Sequence, residues 1–140
     1  MRFRKILLVD DDKVCQYLYA ELLQEMQLAE QLVLLPNGQL ALDYLSQHCG
    51  PAATGTCPDL ILLDLKMPVM DGLELLDQLT QAGSADLVRT AVVLLTTSEH
   101  AWDQLRARQL QVKDYLVKPL TEEKIEGFLR RHYPIGGPRQ

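Results

Sequence analysis

Four places in the chain carry residue types suited to phosphoryl and metal chemistry: Asp10-Asp11-Asp12, Asp64, Thr96-Thr97-Ser98, and Lys118 before Pro119. Carboxylates gathered in one pocket repel each other. Such a cluster is stable only when protonated, paired or occupied by a cation. Hard oxygen ligands suit Mg²⁺, which takes one or two carboxylates, keeps waters and accepts phosphate oxygens. An ammonium facing those carboxylates is a clamp for a phosphoryl group, and a threonine hydroxyl adds a neutral donor. Lys118, a metal and Thr96 together could bear the charge spread over phosphoryl oxygens during transfer. Asp64, the carboxylate nearest the metal, could itself accept the group and form an acyl phosphate.

Each piece also has a plainer explanation. Asp is a favoured helix N-cap, so Asp10 to Asp12 could cap a helix. Asp64 could belong to a turn with Met67-Pro68 and Asp71-Gly72. Thr96 to Ser98 could cap a helix, and Lys118 could be an exposed lysine. Their joint placement favours a site, and that placement depends on the elements that carry them.

Short apolar runs occur at Ile6–Val9, Leu32–Leu35, Leu60–Leu63, Ala91–Leu95 and Tyr115–Val117. Runs apolar on both faces are the pattern of parallel strands covered on two sides. Amphipathic stretches alternate with them. Val14, Leu18, Leu22 and Met26 form one stripe; Leu40, Ala41, Tyr44 and Leu45 a second; Leu73, Leu76 and Leu79 a third; Trp102, Leu105 and Leu110 a fourth; Ile125, Phe128 and Leu129 the last. Thr121 reads as the N-cap of that last helix, with Lys124 at its third position, so only half of a capping box is present.

A strand–helix unit repeated in this way predicts an α/β fold, a flavodoxin-like doubly wound five-stranded parallel sheet of order 2-1-3-4-5 with five helices. In such a sheet functional residues gather at the carboxyl ends of the strands. Asp10, Asp11, Asp64, Thr96 and Lys118 all stand at such ends, on strands adjacent in the predicted order, and would converge on one crevice.

The 140 residues fit one domain, expected over residues 1–133, with 134–140 a frayed tail and no room for an output domain. Apolar residues make up 47% and charged residues 24%, enough apolar material for a core. The net charge of −5 and the lack of a long Lys/Arg block speak against direct nucleic-acid binding. No apolar run approaches the ~18 residues of a membrane span, and no signal peptide is visible, so a cytoplasmic protein is expected. Cys15, Cys49 and Cys57 are odd in number and form no Cys-x-x-Cys pair, which points to a reducing compartment; Cys49 and Cys57 flank a Gly/Pro/Thr loop and could pair, but free thiols are the favoured reading.

These residues carry a family resemblance. Ile6–Asp12, Pro58–Gly72, Val92–Thr97 and Asp114–Leu120 lie in order, and Asn37-Gly38 with Ala41-Leu42 fits as well. Over residues 4 to 131 the chain resembles the receiver domain of bacterial two-component response regulators, in its stand-alone, chemotaxis-regulator-like form. The resemblance implies a signalling protein, not an enzyme. It implies Asp64 as phosphoacceptor, supplied by a sensor histidine kinase or a histidine phosphotransfer protein. It implies Asp11, Asp64 and the backbone carbonyl of Lys66 as Mg²⁺ ligands, with Asp10 holding the metal through water and Asp12 capping the first helix. Lys118 would pair with the phosphoryl group, and Thr96 and Thr97 would supply hydroxyls. Tyr115 would be an aromatic switch remodelling the face of the fourth helix, fifth strand and fifth helix, where an unnamed downstream protein binds.

Some positions depart from the commonest pattern. Gln111 stands where many receivers have glycine, and Leu120 replaces a frequent phenylalanine. Lys66 and Ser98 occupy positions that tune phosphate lifetime in the family. Two other readings compete. Asp10-Asp11-Asp12-Lys13-Val14 also fits the opening of haloacid-dehalogenase-type phosphatases, which phosphorylate the first aspartate, but the later acidic pair lacks its structural context. A receiver fold used without phosphorylation is the other, and constant partner affinity across Asp64 variants would favour it.

Overall fold

In the computed structural model the described residues are 2–49, 57–65, 67, 70–82, 90–97 and 112–134. They form strands β1 (Phe3–Val9), β2 (Ala29–Leu35), β3 (Leu60–Asp64), β4 (Ala91–Thr96) and β5 (Asp114–Val117), and helices α1 (Lys13–Glu25), α2 (Gly38–His48), α3 (Gly72–Ala82) and α4 (Glu122–His132). The sheet is parallel, in the order β2-β1-β3-β4-β5, as the alternating pattern predicts. Four helices lie among the described residues. The helix expected on Trp102, Leu105 and Leu110 lies outside them, as do Lys66, Ser98 and the tail from Ile135. No helix among the described residues is long and apolar enough to cross a membrane.

Side chains of a strand alternate between faces, and the core divides accordingly. Leu7, Val9, Ile61, Leu63 and Leu94 pack with α2 and α3. Ile6, Leu8, Leu62, Val93 and Leu95 pack with Tyr19 and Leu23 of α1 and Ile125 and Phe128 of α4. The helix ends follow from local chemistry. Asp12 accepts the Val14 and Cys15 N–H groups, Asn37 that of Leu40, and Thr121 that of Lys124. The first turn of α4 carries Glu122 and Glu123 and its last turn Arg130, Arg131 and His132, charges that complement the helix dipole. At the end of α1, Gln27 takes a left-handed conformation at φ 53°. The Leu28 N–H bonds to Leu23 O and that of Gln27 to Gln24 O, the pairing that closes a helix C-terminus.

Two expectations need correction. The stripe Val14, Leu18, Leu22, Met26 is not the buried face of α1: Val14 is 67% and Leu18 53% exposed, while Tyr19, Ala20 and Leu23 are buried. Leu40 of the second stripe is likewise exposed. A strict four-residue spacing drifts around a helix of 3.6 residues per turn, and α1 carries apolar residues on more than one side. The second correction concerns the cysteines. Cys49 and Cys57 form a disulfide, with Cα atoms 4.8 Å apart. Cys49 caps α2 and Cys57 leads into β3, so the fold brings them together across the loop. The cysteine count is thereby no argument for a reducing compartment.

Candidate functional site at the carboxyl edge of the sheet

Strand register alone assembles the site. Val9 pairs with Leu63, so the next residues, Asp10 and Asp64, leave β1 and β3 side by side. Asp64 pairs with Leu95, and Thr96 with Val117, which brings Thr96 and then Lys118 to the same edge. Backbone bonds extend the ladder, from Leu65 N–H to Leu95 O at 2.8 Å and from Lys118 N–H to Thr96 O at 2.7 Å.

Asp10, Asp11 and Asp64 each offer a carboxylate oxygen within 4.8 Å of the others. Asp10 and Asp64 are 1% and 5% exposed, whereas Asp11 is exposed. Lys118 Nζ lies 3.0 Å from Asp10 Oδ2 and 3.4 Å from Asp64 Oδ2. The other Asp10 oxygen, Oδ1, accepts the Asp12 N–H at 2.9 Å. Burial disfavours the Lys118 charge, but the Asp10 hydrogen bond and the charges of Asp64 and Asp10 outweigh it, and the ammonium's pKa lies above its ordinary value.

Among the described residues, one ammonium stands with three carboxylates, a net negative set. A hard, oxygen-only donor set with that residual charge fits a divalent cation of the Mg²⁺ or Mn²⁺ kind. Asp10 spends an oxygen on Lys118 and another on the Asp12 N–H, and all three carboxylates offer an oxygen that could hold such an ion.

Thr96 is fully buried at the end of β4, and Thr97 beside it is exposed. Tyr115 is half-buried against the α2–α3 side of the core, the side to which Leu94 belongs. Asp114 fixes the start of β5. Its Oδ1 accepts the Tyr115 N–H at 2.7 Å. Its Oδ2 accepts from Arg131 Nη2 at 2.8 Å and contacts His132 Nε2 at 3.0 Å. Burial pushes the Asp114 pKa up, but the bonds from Arg131, Tyr115 and His132 prevail and hold it below 3.8. A depressed folded-state pKa gives stability that is present above the ordinary value and lost as pH falls through the folded one. Asp114→Asn is therefore expected to lower stability by roughly 1 kcal/mol at neutral pH, discounted for the exposed arginine. Urea titrations across pH should show the difference shrinking as pH drops below 3.8.

Gly72 sets a close approach to Asp64. A Cβ on Gly72 would lie 2.9 Å from Asp64 O and 3.2 Å from Leu65 Cα. The Gly72 N–H also bonds to Leu65 O at 2.9 Å. Gly72→Ala must displace the backbone that carries Asp64, and a loss of about 1–3 kcal/mol is expected. Chemical denaturation should show a lower midpoint at unchanged slope.

Of the residues expected at the site, Asp10, Asp11, Asp64, Thr96 and Lys118 meet at one edge, and Thr97 and Tyr115 flank it. The Lys66 carbonyl lies outside the described residues. Sequence reasoning missed Gln16, whose Nε2 donates to Leu35 O at 3.0 Å and ties α1 to the end of β2. It also missed Tyr19, whose hydroxyl meets the backbone after Lys118. An i, i+4 relation to Cys15 on the inward face of α1 was the signal available for Tyr19.

The response regulator receiver domain family matches residues 6–130. The chain belongs to this family. Its members are phosphoacceptor modules of two-component signalling, with a histidine kinase as phosphodonor, and stand-alone members are signalling proteins. This receiver is 39% identical over 113 residues to response regulator Rcp1 of Synechocystis sp., covering 81% of this chain and 75% of that one. A crystal structure of the Mn²⁺-bound form of Rcp1 superposes with a TM-score of 0.75 at 32% identity, over 98% of this chain and 99% of that one. The phosphorylated cyanobacterial phytochrome response regulator RcpA superposes with a TM-score of 0.73 at 33% identity, over 91% of each. Receiver domains bind a divalent metal in their acidic pocket, and the carboxylates at this sheet edge form such a pocket.

Proposed function

We propose that Asp64 is the phosphoacceptor of a stand-alone response regulator. Its carboxylate oxygen attacks the phosphorus of a phosphohistidine, the P–O bond forms as the P–N bond breaks, and the imidazole leaves with a proton. Mg²⁺ would be held by Asp11, Asp64 and the Lys66 carbonyl, with Asp10 acting through water, and would offset charge on the phosphoryl oxygens. Lys118 meets the same oxygens, and Thr96 and Thr97 donate to them. The observation that carries this reading is the Lys118 ammonium, 3.0 Å from Asp10 and 3.4 Å from Asp64 beside a third carboxylate.

Phosphorylation adds up to about two negative charges and three acceptor oxygens. It favours the conformer in which Thr96 and Lys118 reach the group. Tyr115 follows Thr96 and alters the face built from β5, α4 and the helix expected between β4 and β5, where the downstream protein binds. The donor is a sensor histidine kinase or a histidine phosphotransfer protein. Residues 1–133 form the receiver domain, which works in the cytoplasm and catalyses no reaction on another substrate.

Mass spectrometry of the intact protein after incubation with a small phosphodonor, with and without Mg²⁺, tests the assignment. One Mg²⁺-dependent, acyl-labile phosphate mapping to Asp64 is expected. A phosphate on Asp10 would overturn it in favour of phosphatase-type chemistry.

A further inference from the structure

The backbone that carries Lys118 is gripped from two helices. Tyr19 of α1 is 6% exposed, and its hydroxyl accepts the Leu120 N–H at 3.3 Å. Its ring centroid lies 5.9 Å from Lys118 Nζ, within the roughly 6 Å over which an ammonium is drawn to an aromatic face. From α4, Lys124 in the first turn donates from Nζ to Val117 O at 2.6 Å and to Pro119 O at 2.9 Å. With the bond from Lys118 N–H to Thr96 O, each residue from Val117 to Leu120 has a backbone group held.

Packing alone does not account for Tyr19. Leu120 is buried, and a buried N–H left without an acceptor is costly. An aliphatic residue at position 19 would fill the space and leave that N–H unmet. Packing does not account for Lys124 either, since a solvated lysine would have no reason to converge on two carbonyls flanking Lys118. A lysine side chain is a long, flexible stem. Aiming its ammonium between two carboxylates requires a fixed backbone below and a surface that confines the stem.

We propose that Tyr19 and Lys124 are positioning residues for Lys118, holding the 117–120 segment so that the ammonium stands between Asp10 and Asp64. The consequence for phosphoryl binding rests on the phosphoacceptor reading of Asp64; the positioning itself does not.

The test uses Tyr19→Phe, Tyr19→Leu and Lys124→Met in the full chain. In the metal-free protein, hydrogen exchange of the Leu120 amide and the nitrogen resonance of the Lys118 ammonium are followed by NMR. Tyr19→Phe should speed Leu120 exchange about tenfold, the factor for one ordinary hydrogen bond. Tyr19→Leu and Lys124→Met should also shift the Lys118 resonance. Titrations with Mg²⁺ alone should stay within about twofold of wild type, because the metal sits on the carboxylates. Affinity for beryllium trifluoride, a phosphoryl mimic, should fall about three- to tenfold. An unchanged Leu120 amide and Lys118 resonance would overturn the proposal. So would parallel losses of Mg²⁺ affinity, mimic affinity and melting temperature, the mark of a merely structural role. If the wild type binds no mimic and takes no phosphate while the Lys118 resonance still moves in the variants, the Asp64 reading falls and the positioning role stands.

Discussion

Asp64→Asn is expected to fold and to take up no phosphoryl group, so that the added mass seen in wild type disappears. An amide is no substitute for the carboxylate oxygen that must attack phosphorus. The loss should be complete because no other carboxylate at this edge has an equivalent position. Asp10 is buried with its oxygens on Lys118 and the Asp12 N–H, and Asp11 is exposed where Asp64 is buried. Stability without divalent cation should stay within about 1 kcal/mol of wild type, since Asp64 is at once a partner of Lys118 and a repulsive neighbour of Asp10. Intact-mass measurement reads the first expectation and urea unfolding the second. A phosphate retained in the variant would remove Asp64 as acceptor.

Lys118→Ala is expected to keep divalent-cation binding, lose the phosphorylation-linked change at Tyr115, and fold less stably. The ammonium is the cation between Asp10 and Asp64, and its side chain is only 13% exposed. Removing one member of a largely buried pair leaves the other charge uncompensated, a loss of about 2–4 kcal/mol. The raised Lys118 pKa fixes the pH range. A group with a raised folded-state pKa contributes stability that is complete below its ordinary value and lost only as pH rises through the folded one. The difference between variant and wild type should thus be full at neutral pH and narrow in strong alkali. Added Mg²⁺ should return part of the lost stability, because a cation on Asp11 and Asp64 lowers the same repulsion. Spectral shifts at Tyr115 on activation, present in wild type and absent in the variant, check the signalling half. An undiminished response would take Lys118 out of the switch.

Much of this was legible in the residues alone. Short apolar runs and amphipathic stretches alternate because each element must cover a sheet face, and that pattern sets both fold class and strand order. Given the order, the acidic, hydroxyl and lysine residues that follow the runs had to meet at the carboxyl edge. The strand pairings Val9–Leu63 and Thr96–Val117 place them there. Asp12 and Thr121 could be read as caps because capping is local chemistry within a few residues.

Only the tertiary structure decided the rest. The helical phase of α1, with Tyr19 and Leu23 inward and Val14 and Leu18 outward, was ambiguous because the helix carries apolar residues on several sides. The Cys49–Cys57 bond depends on where α2 ends relative to β3, which a count of cysteines does not contain. The hold of Tyr19 and Lys124 on the Lys118 segment rests on contacts such as Tyr19–Leu120 between residues 101 positions apart. Periodicity reports what a residue's own element does. It carries no information on which atoms of a distant element arrive opposite, because that is set by packing of whole elements against each other.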